Sequence, residues 1–227
     1  MLAQQKRNIK GFSLIELLVV LALIGVIAGI GFPKFATWGK ERKIRSQSEK
    51  IGTYITSAVS QVERGSYPYV QIKFSSTNNV YKVVTKALPQ EKFSLALNQG
   101  QTLECSDTNF NTSNGGIELL NENLSEDIKI FPSASTTDSF SICFSKGGKY
   151  FKKVKSPVSP LVGAVNFEGG TSSSTNYLVI CSSETVCDPT STPLPTLDAF
   201  TYGIKYSRFG LIEKYKWSNA KNKWRSR

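Results

Sequence analysis

Gly11-Phe12-Ser13-Leu14-Ile15-Glu16, running straight into Leu17-Leu18-Val19-Val20-Leu21-Ala22-Leu23-Ile24, decides how the chain is read. A small residue stands before an apolar run that carries one acid near its start. Ahead of it lies a short basic leader, residues 1–11, with Lys6, Arg7 and Lys10. A secretory signal peptide places its cleavage site after the apolar region. Here the Gly11–Phe12 junction comes first, so cutting there keeps the apolar segment on the mature protein.

Residues 12–33 read as a transmembrane helix. From Phe12 to Gly31 the sequence is apolar apart from Ser13, Glu16 and three glycines. A helix of that length spans about 30 Å, the thickness of a bilayer core. The basic leader predicts a cytoplasmic start, although Lys34, Lys40, Arg42, Lys43 and Arg45 blunt the asymmetry from the other end. A carboxylate deep in lipid costs on the order of 3 kcal/mol and calls for a partner. Cutting after Gly11 supplies one, because the new amine at Phe12 lies one helical turn from Glu16. The plain alternative is an anchor whose Glu16 snorkels to the interface.

Gly25, Gly29 and Gly31 weaken the helix, and Pro33 predicts an interruption. A dinucleotide-binding glycine loop does not fit, since no strand precedes these glycines. Residues 34–64 continue as an amphipathic helix that docks on a head. Ile44, Ile51, Ile55, Ala58, Val59 and Val62 mark its apolar face, and Arg64-Gly65 with Pro68 ends it.

Of the 227 residues, none is histidine, which removes the commonest general base and metal ligand. The sequence shows no nucleophile elbow and no paired-carboxylate motif, so it predicts no enzyme, no catalytic residue, no cofactor and no metal site. The formal net charge is +11, concentrated at the two ends. Four cysteines, Cys105, Cys143, Cys181 and Cys187, show no metal-type spacing. An even count in an exported domain favours two disulfides over four buried thiols. Of the three pairings, Cys181–Cys187 with Cys105–Cys143 is preferred, because the first closes a short local loop.

Residues 65–217 read as a β-rich globular head, and residues 218–227 as a basic tail. Tyr69–Phe74 and Val80–Val84 alternate around Ser75–Asn79, while Phe93–Leu97 and Ile117–Leu120 are weaker strand candidates. Glu122–Asp127 reads as an acidic surface loop. Phe140, Ile142 and Phe144 alternate, turn through Lys146–Lys149 and return along Tyr150–Lys155. Tyr177–Cys181 is a further strand. Phe200–Tyr206 turns through Ser207–Gly210 and returns along Leu211–Trp217. Thr171–Thr175 and Thr190–Thr196 are loops. The fold class is α+β, a long N-terminal helix packed on an antiparallel sheet.

Gly11 followed by Phe12-Ser13-Leu14-Ile15-Glu16-Leu17-Leu18-Val19-Val20, continuing to Pro33, resembles the cleavage signal of type IV pilins and type II secretion pseudopilins. The resemblance implies that a prepilin peptidase cuts after Gly11 and that the amine of Phe12 is methylated. It implies that Glu16 serves assembly, and that the partners are other pilin or pseudopilin subunits and the inner membrane. The implied protein is a structural subunit of a type IV pilus or a secretion pseudopilus, with its head in the periplasm.

Phe140–Gly148, Leu178–Cys181 and Ile204–Gly210 are also similar to strand–turn signatures of GspH/FimT-type minor pilins. Some of that group bind DNA through a Gly-Arg-x-Arg stretch. Here Gly210 is followed by Leu211-Ile212-Glu213, without either arginine. The alternative reading is therefore a DNA-binding minor pilin, aiding DNA uptake or surface adhesion through the basic C-terminus. Lys214, Lys216, Lys221, Lys223, Arg225 and Arg227 would meet phosphates, and Tyr215, Trp217 and Trp224 would stack on bases. A solvated tail, or one docked on an acidic neighbour, is the plainer account. Lys146, Lys149, Lys152, Lys153 and Lys155 form a second basic patch.

Overall fold

The computed structural model describes residues 13–101, 103, 105, 109–132, 139–148, 176–184, 200–218, 221 and 223–227, without side chains for residues 30–36. The Gly11–Phe12 junction, Cys187, the Tyr150–Lys155 return strand and the two expected Ser/Thr/Pro loops lie outside this set. The chain divides into two units, Met1–Lys40 and Glu41–Arg227.

Helix α1 spans Leu14–Glu63 and belongs partly to each unit. It carries through Pro33, where the sequence predicts an interruption. Proline removes its own donor and its ring presses on the carbonyl four residues back, a local cost that the helical hydrogen bonds on either side outweigh. Among the described residues no helix is long and apolar enough to cross a membrane. The helix ends in a Schellman turn: the Gly65 amide donates to the Val62 carbonyl and the Ser66 amide to the Gln61 carbonyl. Gly65 sits at φ 74°, which suits a residue without Cβ.

In the second unit the strands form two antiparallel sheets among the described residues. One has four strands and the other five, numbered β1 to β9 along the chain: β1 (69–77), β2 (80–88), β3 (117–123) and β5 (139–145) form the first in the order β3-β2-β1-β5, and β4 (128–132), β6 (177–182), β7 (202–206), β8 (212–218) and β9 (223–226) form the second in the order β4-β6-β7-β8-β9. β1 (Tyr69–Thr77) and β2 (Val80–Leu88) are joined by Asn78-Asn79, both at positive φ, as a two-residue hairpin turn of the primed kind requires. The strands therefore run three or four residues further than the hydrophobic alternation suggests. β5 (Ser139–Ser145) pairs with β1. β3 (Ile117–Asn123) lies beyond β2. β6 (Tyr177–Ser182) sits between β4 (Ile128–Pro132) and β7 (Tyr202–Tyr206). β8 (Ile212–Ser218) follows β7 across the Ser207–Gly210 turn.

Two sequence expectations are corrected. Phe93–Leu97, expected as a strand, lies in helix α2 (Gln90–Asn98). Pro89 presets the entry to that helix, and Phe93 and Ala96, three residues apart, turn towards the cluster around Tyr69, Phe110 and Cys143. Lys223–Ser226, expected in a tail apart from the head, form strand β9 paired to β8. A cross-strand tryptophan pair holds them there: Trp217 and Trp224 meet edge to face with centroids 5.3 Å apart.

Ile44, Ile51, Ile55, Ala58, Val59 and Val62 of α1 pack against one face of each sheet. Val70, Ile72, Phe74, Ile128, Leu178, Ile180 and Ile204 are among their partners. Full burial of each aliphatic side chain contributes roughly 1.5–3 kcal/mol, so this layer dominates the stability of the unit. The opposite face of the first sheet is covered by α2. The opposite face of the second carries Tyr177, Val179, Tyr215, Trp217 and Trp224, all buried.

The Cys105–Cys143 disulfide ties the segment after α2 to β5. Cys181 is disulfide-bonded as well. Closing 38 residues of sequence separation is worth about 4 kcal/mol in the chain-entropy account. Replacing Cys105 and Cys143 together by serine should therefore lower the denaturant midpoint of the head and steepen the slope, because the unfolded chain is freed to expand. An unchanged midpoint would show that the crosslink contributes nothing. Gly210, at φ 77°, brings the β7–β8 turn onto α1, where a Cβ would stand 2.5 Å from both γ-carbons of Val59. Gly210→Ala should cost about 1–3 kcal/mol from backbone strain and overpacking, measured as a loss in thermal midpoint.

Candidate functional site

The first candidate site is the start of α1. Ser13 precedes the helix and accepts a backbone hydrogen bond from the Leu17 amide at 3.2 Å. Glu16 lies in the first turn and is exposed, where a carboxylate is favoured by the positive end of the helix dipole. The apolar residues that follow have no covering layer in this unit. From Leu14 to Ile27 the large apolar side chains are 45–76% exposed. Within a folded head such residues would be buried. Here they form a continuous apolar surface around helical residues, far larger than the patches ordinary soluble domains show.

The second candidate site is the basic C-terminus, and the structure divides it. Lys214 and Lys216 are ion-paired to Glu49 and Glu41 of α1. Lys214 reaches its partner across Gly52, where a Cβ would come within 3.1 Å of the lysine Cε. The Tyr202 hydroxyl donates to Glu41 at 3.3 Å. Lys221, Lys223, Arg225 and Arg227 are exposed. Tyr215, Trp217 and Trp224 are buried on the far face of the sheet, so they do not form the base-stacking surface that the sequence suggests.

The acidic stretch Glu122–Asp127, which begins within β3, meets basic residues of the same chain. Glu122 accepts from Lys50 and from the Tyr54 hydroxyl, and Asp127 pairs with Lys43. The polar contacts of α1 leave no local signal of their partners in the sequence, because the two sides are 68 to 175 residues apart along the chain. The available signal was the charge pattern on α1, with Glu41 and Glu49 two turns apart and Lys43 and Lys50 nearly so.

Residues 6–32 match the family described as the prokaryotic N-terminal methylation motif. The chain thus carries the type IV pilin and pseudopilin signal, ahead of a pilin-like α+β arrangement of one long helix followed by antiparallel sheets. No curated protein and no solved structure matches the chain. Among the described residues there is no cluster of three or more potential metal ligands.

The ion pairs set an acid limit. The hydrogen bond from Lys216 holds the Glu41 carboxyl below its ordinary value of 4.5, aided by the charge of that lysine and by Tyr202. Lys50 and Tyr54 do the same for Glu122, and Lys205 and Tyr215 for Glu213. A carboxylate held low in the folded state binds protons more weakly than in the unfolded chain. Its contribution is complete above about pH 4.5 and is lost as pH falls through the lower folded value. Glu41→Gln should lower the thermal midpoint at neutral pH and flatten its decline between about pH 5 and pH 3. Parallel melting curves for variant and wild type across that range would sink this account of Glu41.

Proposed function

We propose that this chain is a minor pilin or pseudopilin, a structural subunit of a type IV pilus or type II secretion pseudopilus. A prepilin peptidase cuts between Gly11 and Phe12, and the Phe12 amine is methylated. The protein is held in the inner membrane by the apolar start of α1, with a cytoplasmic leader and a periplasmic head, until it joins other pilin or pseudopilin subunits in the filament. The observation that carries this reading is the methylation motif at residues 6–32, which overlaps the uncovered apolar surface of α1.

The physical logic runs through Glu16. Cutting at Gly11 leaves an ammonium at Phe12, four residues before Glu16. In an apolar bundle of such helices, an unpaired carboxylate is costly. Pairing it with an amine, its own or a neighbour's, removes that cost only at the correct axial register. Assembly is then selected by charge neutralisation within a surface that is otherwise uniform.

Mass spectrometry of the protein from cells that express the peptidase should find Phe12, methylated, as the N-terminus. Replacing Gly11 by a bulky residue should leave residues 1–11 attached. Glu16→Ala should leave membrane insertion and cutting intact while reducing incorporation into filaments severalfold. Wild-type incorporation of that variant would overturn the role given to Glu16.

A further inference from the structure

One face of the β8–β9 hairpin is built of cations. Lys216 lies directly opposite Arg225 across the pairing, Ser218 lies opposite Lys223, and the Arg227 amide donates to the Lys214 carbonyl. Strand alternation puts Lys214, Lys216, Lys223, Arg225 and Arg227 on this face, while the other face buries Tyr215, Trp217 and Trp224. Like charges opposite each other across a ladder are destabilising. Glu49 and Glu41 pair with Lys214 and Lys216 of β8. β9 then adds three exposed cations in a row of about 13 Å.

The Arg227 guanidinium stands 5.6 Å from the Tyr202 ring centroid, on the side of Tyr202 whose hydroxyl donates to Glu41.

The face suits a surface of closely spaced anions. Two features favour a lipid surface over a nucleic acid. The aromatic residues of the hairpin are buried behind it, so the stacking that drives single-strand binding is missing. The patch is also tethered: Glu41 is eight residues past Pro33, a reach of no more than about 29 Å for a fully extended chain. We infer that this face docks on anionic phospholipid headgroups of the membrane that holds the apolar start of α1. The inference rests on the anchored reading above and adds a second, electrostatic contact to it. That contact holds the head at the bilayer until the subunit is withdrawn into a filament.

The full chain is reconstituted into vesicles of phosphatidylcholine alone, and of phosphatidylcholine with phosphatidylglycerol. Flotation with the neutral vesicles reads the anchor by itself. Hydrogen exchange of the 223–227 segment reads the patch, whether or not the anchor holds. Exchange is expected to be at least about fivefold slower with the anionic vesicles, the gain from one basic side chain at an anionic surface. The difference should vanish in high salt and in the Lys223→Gln, Arg225→Gln, Arg227→Gln triple variant.

Equal exchange in the two vesicle types overturns the inference while leaving the anchor intact. Slowing by duplex DNA added to neutral vesicles, without slowing by phosphatidylglycerol, overturns it in favour of a nucleic acid. Failure to float with neutral vesicles counts against the anchor and not against the patch.

Discussion

Residues 41–63 of helix α1 are gripped along one apolar stripe whose two borders carry opposite charge. Ile44, Ile51 and Ile55 lie at the centre of the stripe and are essentially inaccessible to solvent. At 100° per residue, Lys43 and Lys50 fall on one side of it and Glu41 and Glu49 on the other. The lysines meet Asp127 and Glu122 after and within β3, and the glutamates meet Lys216 and Lys214 of β8. Burial supplies the stability of this packing. Each ion pair keeps substantial exposure and so contributes at most about 1 kcal/mol. The charges instead fix the helix's rotation, since turning it by one residue's angle would bring cation to cation along β8. Both sheets are organised by that single choice of face.

The same helix makes opposite use of its two parts. From Leu14 to Ile27 its apolar residues are exposed, and from Ile44 to Val62 they are buried. A sequence that buries everything it can would not leave such a surface bare. That contrast separates apolar residues without a covering layer from apolar residues of the core. The acid near the start belongs to the first class and the acids at 41 and 49 to the second. Glu16 sits among apolar side chains with no basic residue within a turn on its own helix, whereas Glu41 and Glu49 have their lysines supplied by β8.

The basic C-terminus changes meaning in the fold. Read linearly it is one run of cations interleaved with aromatic residues, which suggests a single tail that meets phosphates and stacks on bases. Strand pairing sorts it by parity. The aromatic residues go to one face, where Trp217 and Trp224 close the outer cluster of the five-stranded sheet. The cations go to the other, where two of them serve the helix. What remains for an outside partner is a short, rigid row on β9, and no stacking platform.

Features that depend on near neighbours can be read along the chain. The helical face at Ile44–Val62, the glycine stop at Gly65 and the last hairpin are legible, because periodicity and turn chemistry act within a few residues. The methylation motif is likewise a local pattern, and it is the part of the chain that a family recognises. Tertiary structure decided the rest. Phe93–Leu97 has a strand's alternation, yet Pro89 and the hydrophobic floor around Tyr69 and Phe110 make it a helix. β4 carries no strand signal of its own, because the pairing that makes it a strand is with β6, some fifty residues away. Whether a lysine on β8 meets solvent, a phosphate or Glu41 is fixed by an ion pair that spans 175 positions. No local pattern encodes such a contact, because it exists only once both sheets have closed on the helix.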